Sequence, residues 1–146
     1  MTNDQIIEQA ISILEDRIEY AAGPSMLNPD DSEKYLKLKM AEYEQEVFAC
    51  LWLDNRHKLI KFEEMFRVTV NGSVVHSREI VKAALACNAA AVILAHNHPS
   101  GVTDPSNADR QITSRLKEAL ALVDVTVLDH VIVGETCTSM ATQGLI

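Results

Sequence analysis

The chain has 146 residues, 47% apolar and 23% charged, which suits one soluble globular domain and excludes a fibrous repeat or a long disordered tail. Its formal net charge of -8 speaks against nucleic acid as a partner, because attraction to a phosphate backbone needs clustered Lys and Arg. The longest apolar run, Ala89 to Ala95, is too short to span a bilayer, and the N-terminus lacks the basic-then-apolar order of a secretory leader. Cys50, Cys87 and Cys137 are scattered, with no Cys-x-x-Cys pair, and read as free thiols, so a cytoplasmic location is expected.

In chain order, Ile7, Ile11, Leu14 and Ile18 recur at helical spacing, Thr2 and Gln5 form a capping box, and Gly23-Pro24 stops this first helix. Pro24 to Asp31 reads as a linker and Ser32 to Glu44 as a second helix. The expected organisation is therefore an N-terminal helix and linker over residues 1–29, followed by a domain over 30–146. The first helix, set apart by the linker, could pack on a second copy, which leaves a homo-oligomer open.

Val47 to Leu53 has the composition of a buried strand, Asp54 to His57 that of a turn, and Leu59 to Val70 that of a second strand ending at a hairpin signal, Asn71-Gly72. Ser77 is expected to cap a helix over Arg78 to Asn88. Ala91 to Ala95 reads as a strand covered on both faces, His98 to Pro105 as an irregular loop, Asn107 to Leu122 as an amphipathic helix and Val123 to Val133 as a last strand. Strands alternating with helices predict a layered α/β domain.

The segment from His96 to Asp109 carries the chemistry. Side chains two apart on a strand share a face, so His96 and His98 can converge, and Asp109 in the first turn of the following helix can be aimed back at them. Two imidazoles and a carboxylate with one position open are the usual ligands of catalytic zinc, with water in the open place at a pKa lowered from about 15.7 towards ~7. Such a water needs a base, and Glu46, at the head of the first strand, is the best placed upstream carboxylate. Ser106 would lie near the metal, where its hydroxyl could donate to a developing oxyanion.

The spacing His-x-His, seven residues, Ser-x-x-Asp, with a glutamate on an earlier strand, resembles the JAMM signature of JAB/MPN-domain zinc metalloproteases. The wording His96-Asn97-His98-Pro99-Ser100-Gly101, with Arg78-Glu79-Ile80-Val81 and Leu128-Asp129-His130-Val131-Ile132-Val133-Gly134, is similar to the RadC branch over roughly residues 30 to 146. The resemblance implies a JAB/MPN-type α/β/α sandwich with a mixed sheet. It further implies Zn2+ as cofactor, His96, His98 and Asp109 as its ligands, Glu46 as the base and Ser106 as the oxyanion helper. A peptide or isopeptide is the implied substrate. The family name also implies the alternative of a DNA repair or recombination module, nuclease or accessory. Asn97 stands where many eukaryotic members carry Ser or Thr, and the N-terminal portion is too short for the helix-hairpin-helix module of longer RadC proteins.

Each residue has a plainer reading. Ser106-x-x-Asp109 is also an ordinary helix capping box, and Glu46 could be a solvated residue ending the second helix. His130 is by default a satisfied core histidine, and its sharper reading is a place behind the metal ligands. His57 and His76 carry no assigned role, and Cys50 and Cys87 are small buried hydrophobes. His-Glu-x-x-His and the deaminase pair of His-x-Glu with Pro-Cys-x-x-Cys are both absent from the sequence.

Overall fold

The structure, a computed structural model, describes residues 1–20, 29–67 and 75–146. The expected helix stop at Gly23-Pro24, most of the expected linker and the Asn71-Gly72 hairpin lie outside the described residues.

Among the described residues nine elements follow in order: α1 (Asn3–Tyr20), α2 (Pro29–Met40), β1 (Val47–Leu53), β2 (Leu59–Arg67), α3 (Ser77–Ala86), β3 (Ala91–Asn97), α4 (Asn107–Ala121), β4 (Thr126–Val133) and β5 (Cys137–Ser139). They build a five-stranded sheet of order β2-β1-β3-β4-β5, in which only β3 and β4 run parallel. β1 and β3 are buried along their whole length, as their near-continuous apolar sequences require. One face packs Tyr35, Leu36 and Met40 of α2 against Ala49, Leu51, Ile93 and Val131, with Ile11 and Leu14 of α1 behind them. The other face packs Ile80 and Ala84 of α3 and Leu116 and Leu120 of α4 against Cys50, Trp52, Val92 and Leu94. The fold is thus the expected α/β/α sandwich with a mixed sheet. Among the described residues no helix is long and apolar enough to cross a membrane.

Several boundaries differ from expectation. α2 begins at Pro29, inside the expected linker, because proline suits the first turn and Asp30 and Asp31 complement the helix dipole there. It ends at Met40 rather than Glu44, which leaves Glu46 outside any helix. Ser77 does not cap α3: His76 holds the cap position without a side-chain bond, and the Ser77 hydroxyl is buried with no hydrogen-bond partner among the described residues. α3 stops at Ala86 because Asn88 takes a φ of 56°, the left-handed conformation that closes many helices. β4 starts at Thr126 because Asp124, with φ 61°, is still turning the chain out of α4. β5, paired antiparallel with the end of β4, carries no sequence signal long enough to predict it.

Candidate metal centre

Three elements deliver the site. β1 and β3 pair antiparallel with Phe48 opposite His96, so the residue just before β1, Glu46, arrives at the end of β3 where the histidines stand. His98 lies one residue past β3, held by its amide, which donates to the Val133 carbonyl at 2.8 Å. α4 starts at Ser106, whose Oγ accepts the Asp109 amide at 3.1 Å while Asp109 Oδ2 accepts the Ser106 amide at 2.8 Å. Ser106 is therefore a capping residue in fact, and the reciprocal box fixes where the Asp109 carboxylate points.

The four groups converge. His96 Nε2 and His98 Nε2 are 2.8 Å apart. Asp109 Oδ1 is 3.2 Å from His96 Nε2, and its Oδ2 is 3.8 Å from His98 Nε2. Glu46 Oε1 stands 3.6 Å from His98 Nε2 and 3.9 Å from His96 Nε2. The ligand atoms of Glu46, His96 and His98 lie within 4.8 Å of one another. His96 is buried and stacks on Phe48 at 6.3 Å between ring centres, whereas the Glu46 side chain is 37% exposed.

Proton counting shows what the arrangement can hold. His98 Nδ1 is 2.7 Å from the Val102 carbonyl, which only accepts, so Nδ1 carries the proton and Nε2 offers a lone pair. Facing it are a second imidazole nitrogen and two carboxylates, a surplus of lone pairs that a cation satisfies. Ligand atoms sharing one zinc at about 2.0–2.1 Å sit about 3–3.5 Å apart, and the His96–Asp109 separation of 3.2 Å is of that size. The residues present fit a divalent ion.

The surroundings tune the same groups. Burial alone would raise the Asp109 carboxyl, but the adjoining His96 ring and the Ser106 amide and hydroxyl outweigh it and hold the carboxyl well below the usual carboxylate range. Burial, reinforced by the neighbouring His96, pushes His130 down to about 3, so this third imidazole is neutral. The loop carrying Val102 is seated on Gly134: a Cβ there would lie 2.5 Å from Thr103 Cγ2 and 2.6 Å from the Gly101 carbonyl.

All five residues singled out in the sequence thus come to one end of the sheet. Asp109 and Glu46 face the histidines, and Ser106 stands in the turn beneath Asp109. Sequence reasoning gave no role to Thr113 or to the Val102 carbonyl, and it noted Asn97 only as a departure. Thr113 had one usable signal, its position one helical turn after Asp109.

Among known families, the model of the RadC-like JAB domain matches residues 26–145. The chain belongs to the RadC-like JAB domain family. Among relatives of this RadC-like domain, a UPF0758 protein of Vibrio cholerae is 55% identical over 97% of the chain and 88% of its own length. A second, from Thioalkalivibrio sulfidiphilus, is 57% identical over 86% of the chain but only 56% of its own length. A third, from Nitrosococcus oceani, is 58% identical over 85% of the chain and 56% of its own length. The chain therefore spans most of the Vibrio relative and about half of the other two.

Proposed function

We propose that this RadC-like domain is a zinc-dependent hydrolase of the JAMM type, with the ion held by His96, His98 and Asp109. One observation carries the reading: two imidazole nitrogens 2.8 Å apart meet two carboxylates at the same point. Asp109 suits a ligand because Ser106 pins one of its oxygens. Glu46 suits a proton carrier because it is half-exposed, and among the described residues its carboxylate meets only the two imidazoles.

When bound, zinc supplies Lewis acidity and lowers the pKa of water so that a nucleophile exists near neutral pH. The chain's own residues do the rest. Glu46 Oε1 takes a proton from the attacking water and returns it to the leaving group. Ser106 Oγ uses a lone pair for its cap, so its hydroxyl proton stays free to donate to an oxyanion. A cleft of about 560 Å³ beside His98, lined by Tyr43, Asn97, Gly101 and Gly134, gives an extended substrate room to lie. A peptide or isopeptide is the substrate that the chemistry of this reading implies.

The second reading is a DNA repair or recombination module, and the comparisons favour it over peptide cleavage, because the matched family is RadC-like. Against it stands the net charge of -8. The metal centre serves either bond class. Metal analysis of the purified protein tests the centre, with about one zinc per chain expected and stoichiometric metal in a His96→Ala, His98→Ala double variant overturning the ligand assignment. Glu46→Gln compared with wild type on peptide, isopeptide and DNA substrates then separates the readings. Tight, salt-sensitive duplex binding would favour the second.

A further inference from the structure

We propose that His130 and Thr113 are positioning residues that set the tautomer of His96, so that its Nε2 lone pair faces the metal. This inference rests on the metal-centre reading above.

The argument is a count of protons along one chain of contacts. Thr113 Oγ1 lies 2.6 Å from the Asp109 backbone carbonyl and 3.8 Å from Met140 Sδ; neither can donate, and the carbonyl, the nearer and stronger acceptor, takes the single hydroxyl proton. Thr113 Oγ1 also lies 2.5 Å from His130 Nδ1, and with its own proton spent the oxygen must accept, which puts the His130 proton on Nδ1. His130 is wholly buried and its two ring nitrogens meet only a hydroxyl and an imidazole, so a ring with its one proton on Nδ1 has a bare Nε2. That nitrogen is 2.7 Å from His96 Nδ1, which must be the donor. His96 Nε2 is left without a proton, directed at Asp109 and His98. All three side chains are buried, so no water competes for these bonds.

The backbone shows that His130 is aimed here. β4 pairs in parallel with β3, but the register slips between Val92 and Ile93, whose partners are Val127 and Asp129. The extra residue, Leu128, is a bulge that inverts the inside–outside alternation of β4. Before it, Val127 faces α3 and α4; after it, Val131 and Val133 face α2. Without the bulge, His130 would point away from the histidines. With it, His130 meets His96 edge-on at 4.8 Å between ring centres and Phe48 at 5.6 Å. The relay also ties the two carriers of the site together, since Thr113 grips the backbone of Asp109 on α4 while His130 grips His96 on β3. A metal-binding imidazole ordinarily leans its other nitrogen on a carboxylate or carbonyl, and here a histidine relayed to a hydroxyl does that work.

Two measurements test it, neither of which needs a substrate. Nitrogen NMR of the metal-free protein should show His96 protonated at Nδ1 in wild type and in Thr113→Ser, and a mixture of tautomers in Thr113→Val and His130→Leu. Zinc affinity by chelator competition should fall about 10- to 100-fold in Thr113→Val and His130→Leu and stay near wild type in Thr113→Ser. Thr113→Val is nearly isosteric, so it keeps the test valid should His130→Leu not fold. Unchanged tautomer and unchanged zinc affinity in a folded Thr113→Val would overturn the proposal. Failure of the metal reading looks different: wild type would bind zinc no better than the His96→Ala, His98→Ala variant. In that case the tautomer spectrum still decides the relay.

Discussion

The side-chain Oδ1 of Asn97 accepts the backbone amide of Val47 at 2.7 Å, while its Nδ2 donates to the Gln45 carbonyl at 3.0 Å. The residue between the two histidines therefore holds the backbone on both sides of Glu46. The β1–β3 ladder ends with Phe48 opposite His96, and the Asn97 amide substitutes for the next rung. Asn97→Ala leaves a buried N–H and a carbonyl without their partner and should cost about 2–4 kcal/mol, read from urea unfolding. Amide exchange at Val47 should accelerate, while the far end of β1 keeps its protection.

Metal should be legible as stability. An ion that binds only the folded state at 100 times its dissociation constant adds about 2.7 kcal/mol, roughly 5–10 °C in melting temperature for a chain of this size. Zinc added to chelator-treated wild type should produce that shift in a thermal melt. His98→Ala should lose most of it, because the variant removes a ligand without opening the sheet.

Ser106 joins a helix to the site. Ser106→Ala removes the side-chain acceptor for the Asp109 amide and should cost about 1 kcal/mol of stability by denaturant titration. Ser106→Thr should restore it. Zinc affinity should change less than stability, because the Asp109 carboxylate is held by the Ser106 backbone amide, which both variants keep.

On the alkaline side, burial and then the Glu33 carboxylate push the Cys137 thiol up to about 11 from its ordinary 9.0. The folded chain keeps a proton that the unfolded chain releases, so this contribution is whole below pH 9.0 and is lost as pH rises towards about 11. Urea midpoints of wild type should therefore fall more steeply over that range than those of Cys137→Ala. Parallel curves would show that the thiol is not held neutral by the fold.

The fold was legible where hydrophobic pattern and burial coincide. Val47 to Leu53 and Ala91 to Asn97 are apolar almost throughout and became the two central strands. The Thr2–Gln5 capping box appears as written, with bonds of 2.9 and 3.2 Å. Local signals that needed a partner were less reliable: Ser77 looks like a cap, yet the chain enters α3 one residue earlier. Convergence of Glu46 with His96, His98 and Asp109 was readable because three of the four lie within fourteen residues. The Thr113–His130 contact was not, since it depends on a one-residue slip in strand pairing that no periodicity in Thr126 to Val133 announces.

Gly134 gives the molecule a remote vulnerability. It offers no ligand atom, yet even a methyl group there would collide with Gly101 and Thr103, on either side of the carbonyl on which His98 leans. Displacing that loop would free the His98 ring to rotate and withdraw a coordinating nitrogen. A random-mutagenesis screen scored on metal retention should therefore recover position 134 alongside the ligands themselves.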